Sequence, residues 1–355
     1  MHIEENRPLA PFTTFGIGGP ARWFVEAKSE GEIAEAVDWA QSLDIRLFVL
    51  GGGSNLLVSD HGWDGLVLHI ALTGITESIA PGDPSARIYN CAAGENWDDF
   101  VERAAQRNSA GIECLAGIPG TVGGTPVQNV GAYGQEVSST IVGVRAFHIA
   151  ERAFVELSAA ECGFAYRRSR FNSTDRGLFI VTRVGYRLVS GGRPTLRYAD
   201  LQRVFPPGGA APSLTQVTAA VRGIRQSKGM LLVEGDPDCR SAGSFFKNPV
   251  VPEAQADKIA ASSARDLPRF PAGPGLENTG SVKLPAAWLI EQAGFARGYT
   301  LGNAAISSRH TLAIVNRGSA TAMDILDLAS EIHLAVKKKF DIELEPEPVF
   351  VGRLA

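Results

Sequence analysis

What this sequence has little of narrows its reading first. Four cysteines occur, Cys91, Cys114, Cys162 and Cys239, far apart and with no Cys-x-x-Cys pair. That spacing argues against a disulfide scaffold or metal framework and for buried free thiols in a reducing compartment. Neither charge dominates: 34 Lys and Arg stand against 38 Asp and Glu, a net charge of -4. The basic footprint of a nucleic-acid binder is therefore missing, although a local pocket can still hold a small anion. No uncharged apolar run approaches membrane-spanning length. The first residues, Met1-His-Ile-Glu-Glu-Asn-Arg7, are polar and acidic, unlike a secretory signal. A cytoplasmic protein is expected, with no metal, membrane or nucleic-acid partner. Internal repeats are also lacking.

What remains is ordinary in bulk. With 355 residues, 45% apolar and 20% charged, the chain suggests two or three domains with real cores. Residues 22–27 read as a strand, and Ser29 then opens an amphipathic helix with Glu32 in the capping-box position. Residues 47–50 form a short buried strand that enters a glycine loop, and residues 65–69 another strand. Residues 88–93, 144–149, 178–188 and 311–316 are strand-like; 97–105, 213–228, 256–264, 286–293 and 321–340 are helix-like. This alternation is the texture of an α/β protein.

Glycine is plentiful and clustered. Gly16-Ile-Gly-Gly-Pro-Ala21 matches a dinucleotide fingerprint, but Pro20 and the strand pattern behind it replace the required helix, so the match is read as accidental. Gly51-Gly-Gly-Ser-Asn55 leaves a strand directly. Its glycines can turn successive N–H groups toward an anion, and Ser54 and Asn55 can add side-chain bonds. Gly117-Ile-Pro-Gly-Thr-Val-Gly-Gly124, running on through Thr125 to Gly134, offers a second such surface. Two nests at strand ends suit a pyrophosphate better than plain turns.

A third motif is Ser241-Ala-Gly-Ser-Phe-Phe-Lys-Asn-Pro249. Small residues leave room for a ligand, Ser244 supplies a compact hydroxyl, and Phe245 and Phe246 can anchor the segment in a core. Alone, it also reads as a strand entering a turn.

Together these loops resemble the flavin site of the UDP-N-acetylenolpyruvoylglucosamine reductase family. Further matches are Phe12-Thr-Thr-Phe-Gly-Ile17, Gly94-Glu-Asn-Trp97, Tyr166-Arg167, Trp288-Leu-Ile-Glu-Gln292 and Leu344-Glu-Pro-Glu347, in order along nearly the whole chain. The resemblance implies an α+β / α/β fold: an FAD-binding domain pair of the vanillyl-alcohol-oxidase (PCMH) type plus a smaller α+β substrate-binding domain. Its segments would be 1–70, completed by 341–355, then 71–228, then 229–340. It implies non-covalent FAD, NADPH as co-substrate, a nucleotide-sugar substrate (UDP-N-acetylglucosamine enolpyruvate) and a monomer. It further implies hydride delivery from reduced flavin to C3 of the enolpyruvyl ether and protonation at C2, giving UDP-N-acetylmuramate for peptidoglycan.

The resemblance also places roles. Ser244 is the proton donor, Arg167 the carboxylate clamp and Glu347 the acidic catalytic residue, with Glu345 as the alternative acid and Arg168 or Arg170 as possible helpers. The cofactor residues are Gly51, Gly52, Gly53, Ser54, Asn55, Gly117, Ile118, Pro119, Gly120, Gly123, Gly124, Thr125, Asn129, Gly131, Ala132 and Tyr133. Tyr198 and Lys228 match residues that grip the UDP pyrophosphate in the form with the longer third-domain loop (type I). Asn248 joins them, and His310 is a nucleotide neighbour or an ordinary polar loop residue. Residues 229–240 depart in length from the family pattern, which leaves the position of Lys228 less fixed than that of Ser244. Two rivals remain: an FAD-dependent oxidase with His61 as a covalent flavin tether, and a non-catalytic nucleotide-sugar binder or flavin sensor.

Overall fold

A computed structural model describes residues 1–272 and 279–353. Its contacts divide the chain into two compact units. The first holds Met1–Arg7, Ala21–Gly53 and Asp64–Gln226; the second holds Pro8–Pro20, Ser54–Trp63 and Ser227–Ala355. Val349–Val351, from the C-terminal segment, pairs in parallel with Leu56–Val58, and both strands lie in the second unit.

The first unit contains two larger sheets and a small two-stranded one, Gly131–Ala132 with Gln135–Glu136. One of the larger sheets has the order Glu4–Pro8, Pro20–Ala27, Trp63–Ile70, Leu47–Leu50. Leu47 to Leu50 run parallel to Leu66 to His69, and the connection between such strands needs a crossover. The helix Glu30–Ser42 precedes Leu47–Leu50 and buries Ile33, Ala36, Val37 and Ala40; its capping box of Ser29 and Glu32 is formed as expected. The other larger sheet is antiparallel, in the order Ala153–Ser158, Ile141–His148, Phe179–Ser190, Asp83–Ala92, Ile75–Ala80, with Ser109–Ala110 also on Phe179–Ser190.

The helix Trp97–Gln106 lays Trp97, Phe100, Val101 and Ala104 into the core. Asn96 caps it, and the four rings of Tyr89, Trp97, Phe100 and Tyr186 lie 5.2–5.8 Å from their neighbours. Such contacts each add about 0.5–1.5 kcal/mol beyond burial. The cluster supports the second glycine loop from below. Trp97 Nε1 donates to Leu115 O at 3.1 Å, and the Tyr186 hydroxyl meets Thr125 Oγ1 at 2.6 Å.

The second unit packs three short sheets around the helices Glu253–Ala261, Ala286–Gln292 and Ala322–Phe340. The last buries Ile325, Leu328, Ile332, Val336 and Phe340 at three- and four-residue spacing. Burying each such side chain contributes about 1.5–3 kcal/mol. Thr321 and Asp324 close its N-terminus as a capping box, and Asp341 ends it with φ +55°. Phe245 and Phe246 are buried in this core, as their pairing in the sequence suggested.

Candidate active site

The two glycine loops meet. A Cβ added at Gly52 would lie 2.5 Å from Gly120 Cα and 2.8 Å from Thr121 N, so the two backbones touch where no side chain fits. Gly51 faces Thr121, whose Oγ1 is buried without a hydrogen-bond partner among the described residues. A buried hydroxyl left unpaired costs about 1–3 kcal/mol, which a ligand oxygen would relieve. A backbone cradle with an orphaned donor fits the pyrophosphate of FAD.

The start of the second loop is gripped on both sides. Gly117 N–H donates to Asp98 Oδ1 at 2.5 Å, and Gly117 O accepts from Arg225 Nε at 2.9 Å. Arg222 pairs with the same Asp98 and with Glu102. Ile118 and Pro119 follow, half-buried, and Gly123 N–H donates to Ala93 O at 2.8 Å. Gly124 has open space around it. These supports were not legible as site residues, because Asp98, Arg222 and Arg225 read as ordinary helix charges.

Farther on, Ala132, Tyr133, Gly134 and Gln135 make a two-residue hairpin between Gly131–Ala132 and Gln135–Glu136. Tyr133 and Gly134 both have positive φ, +48° and +84°, which a primed turn demands. Asn129 is buried and uses its side chain inward: Nδ2 donates to Glu136 Oε2 and Ala165 O, while Oδ1 accepts from Ser138 N. Its side chain thus holds the hairpin against the turn that carries Arg167.

That turn, residues 165–168, is closed by reciprocal bonds between Ala165 and Arg168, with Arg167 at φ +53°. A non-glycine residue held there is strained by its surroundings. Arg167 Nη2 donates to Gly131 O at 2.7 Å, and a Cβ on Gly131 would lie 3.2 Å from Arg167 Nη1. Arg168 is exposed, whereas Arg170 is committed to Asp175 and the Phe179 ring. Tyr198, 44% exposed, lies edge-on to Tyr133 at 5.3 Å. The segment before Tyr198 is tied by a buried acid that sequence reasoning missed. Glu113 Oε1 accepts Thr195 N and Gln135 Nε2, and Glu113 Oε2 accepts Gly111 N.

The second unit carries the other expected residues. Ser244 follows Gly243, at φ +73°, and precedes Phe245, whose N–H donates to Leu312 O at 2.7 Å. Phe245 O in turn accepts Glu347 N–H at 2.8 Å. Ser244 and Glu347 are therefore brought onto adjoining backbone. Glu345 is exposed and pairs with Lys247, so the two glutamates of Leu344-Glu-Pro-Glu347 stand in different surroundings. Ser54 O accepts from Thr14 Oγ1, which also donates to Ser241 O at 2.6 Å. Asn55 Nδ2 donates to Glu347 O at 3.1 Å.

Asn248 and His310 have structural duties that the sequence did not announce. Asn248 Oδ1 accepts Ala286 N at 2.9 Å, capping the helix Ala286–Gln292, and His310 Nδ1 accepts Leu312 N at 3.1 Å. Lys228 is half-buried just past the helix Leu214–Ser227.

Burial decides the thiols and one phenol. Removal from water raises Cys91 and Cys114, and raises Cys162 to about 11, so these three are packing groups rather than nucleophiles. Tyr186 is likewise raised by burial and stays a neutral partner for Thr125.

Comparison with known proteins agrees with this layout. Residues 21–151 match the FAD binding domain family, and residues 236–351 match UDP-N-acetylenolpyruvoylglucosamine reductase, C-terminal domain. The UDP-N-acetylenolpyruvoylglucosamine reductase of Streptomyces avermitilis is 43% identical over 364 residues, covering 99% of this chain and 96% of the relative. That of Thermobifida fusca is 43% identical over 360 residues, covering 99% and 98%. The crystal structure of UDP-N-acetylenolpyruvylglucosamine reductase from Thermus caldophilus superimposes with a TM-score of 0.65 at 27% identity, covering 99% of this chain and 100% of that one. No described helix is long and apolar enough to cross a membrane. The chain belongs to the UDP-N-acetylenolpyruvoylglucosamine reductase family, a family of FAD-dependent oxidoreductases.

Proposed function

We propose that the protein reduces UDP-N-acetylglucosamine enolpyruvate to UDP-N-acetylmuramate with NADPH, as a cytoplasmic monomer acting in peptidoglycan synthesis. FAD, held non-covalently, supplies the hydride that adds at C3 of the vinyl ether. Residues 1–70 with 341–355 and residues 71–228 form the FAD-binding pair, and 229–340 form the substrate domain.

The protein's own part is to hold charge and move one proton. Addition at C3 builds negative charge on C2 and, by conjugation, on the neighbouring carboxylate. Arg167 pairs its planar fork with that carboxylate, and its bond to Gly131 O fixes the fork before substrate arrives. Ser244 gives its hydroxyl proton to C2. A serine is a weak acid, but the carbanion it meets is a strong base, so placement governs the step more than acidity. Glu347, in its protonated form, stabilises the enolic carboxylate. Tyr198, Lys228 and Asn248 bind the pyrophosphate end, with His310 beside the nucleotide. The cradle formed by Gly51, Gly52, Gly53, Gly117, Gly120, Gly123, Gly124 and Thr125, with Ser54, Asn55, Ile118, Pro119, Asn129, Gly131, Ala132 and Tyr133, holds the cofactor.

The observation that supports this reading is the bond from Glu347 N–H to Phe245 O, which joins the backbone of Glu347 to that of the residue after Ser244, in a chain that also contains the glycine cradle. Anaerobic stopped-flow absorbance tests it. NADPH should bleach the bound flavin, and UDP-N-acetylglucosamine enolpyruvate should restore the colour within a turnover. Flavin that bleaches and ignores the enolpyruvyl sugar would defeat the reading. Denaturation should release all yellow colour from the polypeptide; colour retained on the chain would favour the oxidase with His61 as its tether.

A further inference from the structure

We propose that Asp238 is a positioning residue for the nucleotide-sugar pyrophosphate, acting through the Lys228–Gly229 peptide; this rests on the reading of Lys228 given above. Asp238 is 1% exposed, a burial that an ionised carboxylate tolerates only when fully paired. Its Oδ1 accepts Ser308 N at 3.2 Å and pairs with Arg317 Nη1 at 3.0 Å. Its Oδ2 accepts Ser308 Oγ at 2.5 Å and Arg309 Nε at 3.1 Å. Arg309 also reaches Asp236, and Asp236 Oδ1 accepts Asp238 N–H at 2.9 Å. Two acids thus balance two arginines. Burial pushes the Asp238 carboxyl up, but the Ser308 and Arg309 bonds outweigh it and hold the group below its ordinary value.

Gly229 sits on this cluster. Its φ is +66°, and an added Cβ would lie 2.9 Å from Asp238 Cβ, 3.1 Å from Arg309 Nε and 3.2 Å from Arg309 Nη2. The peptide that follows Lys228 is therefore seated on the Asp238–Arg309 pair with no room for a side chain. At its far end the same segment is pinned by Asn316 N to Arg240 O at 3.0 Å and by Arg317 Nη1 to Pro237 O at 3.3 Å. The acid cluster supplies the fixed floor that this segment needs to present a lysine in one place. Asp238 makes this contribution from within the protein interior, through Gly229.

The test is a double-mutant cycle on the FAD-loaded protein, reading the dissociation constant of UDP-N-acetylmuramate by titration calorimetry. Lys228→Ala should weaken binding by about 10–100-fold, the worth of a charge-assisted contact. Asp238→Asn should weaken it about tenfold, and the double variant should match Lys228→Ala alone, because coupled positions fail to add. Ser308→Ala removes one donor to Asp238 and should show a smaller loss that is likewise absent in the Lys228→Ala background, which keeps the question open to measurement if Asp238→Asn does not fold. Multiplying losses in the double variant, or normal affinity in folded Asp238→Asn beside a weakened Lys228→Ala, would overturn the positioning role. Normal affinity in Lys228→Ala would instead overturn the reading of Lys228 itself.

Discussion

The side chain of Asn55 holds the backbone of Glu347: Nδ2 donates to Glu347 O at 3.1 Å, while Asn55 O accepts Val349 N–H at 2.9 Å. A residue of a glycine-rich loop thereby fixes the strand end that bears the catalytic acid candidate. Asn55→Ala should lower kcat about tenfold or more with FAD saturating, since small displacements of a catalytic group are expensive. Steady-state kinetics at several FAD concentrations check this. Full recovery of kcat by excess FAD would assign Asn55 to the cofactor alone.

Contact between the glycine loops makes Gly52 and Gly124 opposite cases. Gly52→Ala drives a methyl against Gly120 Cα at 2.5 Å, whereas Gly124→Ala meets nothing within 4 Å. The first should cost about 1–3 kcal/mol of stability as an overpacked site and weaken FAD binding. The second should leave stability close to wild type. Thermal unfolding and quenching of FAD fluorescence report the pair side by side.

Arg167, the proposed clamp, and Arg170, held in a half-buried ion pair with Asp175, should respond differently to the same change. Arg167→Lys loses the fork that pairs two oxygens at once, and KM for the enolpyruvyl sugar should rise about 10–100-fold. Arg170→Lys keeps a charge beside Asp175 and should change KM little. Equal effects from both substitutions would show that Arg167 is not the clamp.

The regular elements were legible because their periodicity is strong. The helix Ala322–Phe340 and the capping box at Ser29 stand where the pattern puts them. Among the strands that escaped notice, Glu4–Pro8 and Ile75–Ala80 lie mostly exposed, so their sequences lack a hydrophobic face, while Leu56–Val58 and Ala304–Ile306 are too short to show a period. Residues 311–316 shortened to the strand Ile314–Asn316 because His310 Nδ1 captures Leu312 N–H and holds a turn there. Within the site, glycine loops were readable from composition, but their mutual contact was not, since it joins residues 52 and 120. Asp98, Glu113, Arg225 and Asp238 were missed for the same reason: each is a common charge whose partners are distant in sequence.

Acid sensitivity follows from Glu30. The hydrogen bond from Arg145, joined by Thr182, outweighs burial and lowers the Glu30 carboxyl from 4.5. A carboxyl depressed on folding stabilises above its unfolded pKa, and that stability is lost as pH falls through the folded value. Glu30→Gln should therefore melt below wild type at neutral pH, with the gap closing as pH drops below 4.5. A gap that stays constant into acid would mean the ionised form contributes nothing.

Ser244 is proposed to serve only the second half of the reaction, and Ser244→Ala followed by anaerobic stopped-flow separates the two halves. NADPH should bleach the flavin at the wild-type rate while its reoxidation by UDP-N-acetylglucosamine enolpyruvate slows by about 100-fold or more, the usual worth of positioned proton transfer. Equal slowing of both phases, or reoxidation at the wild-type rate, would contradict it.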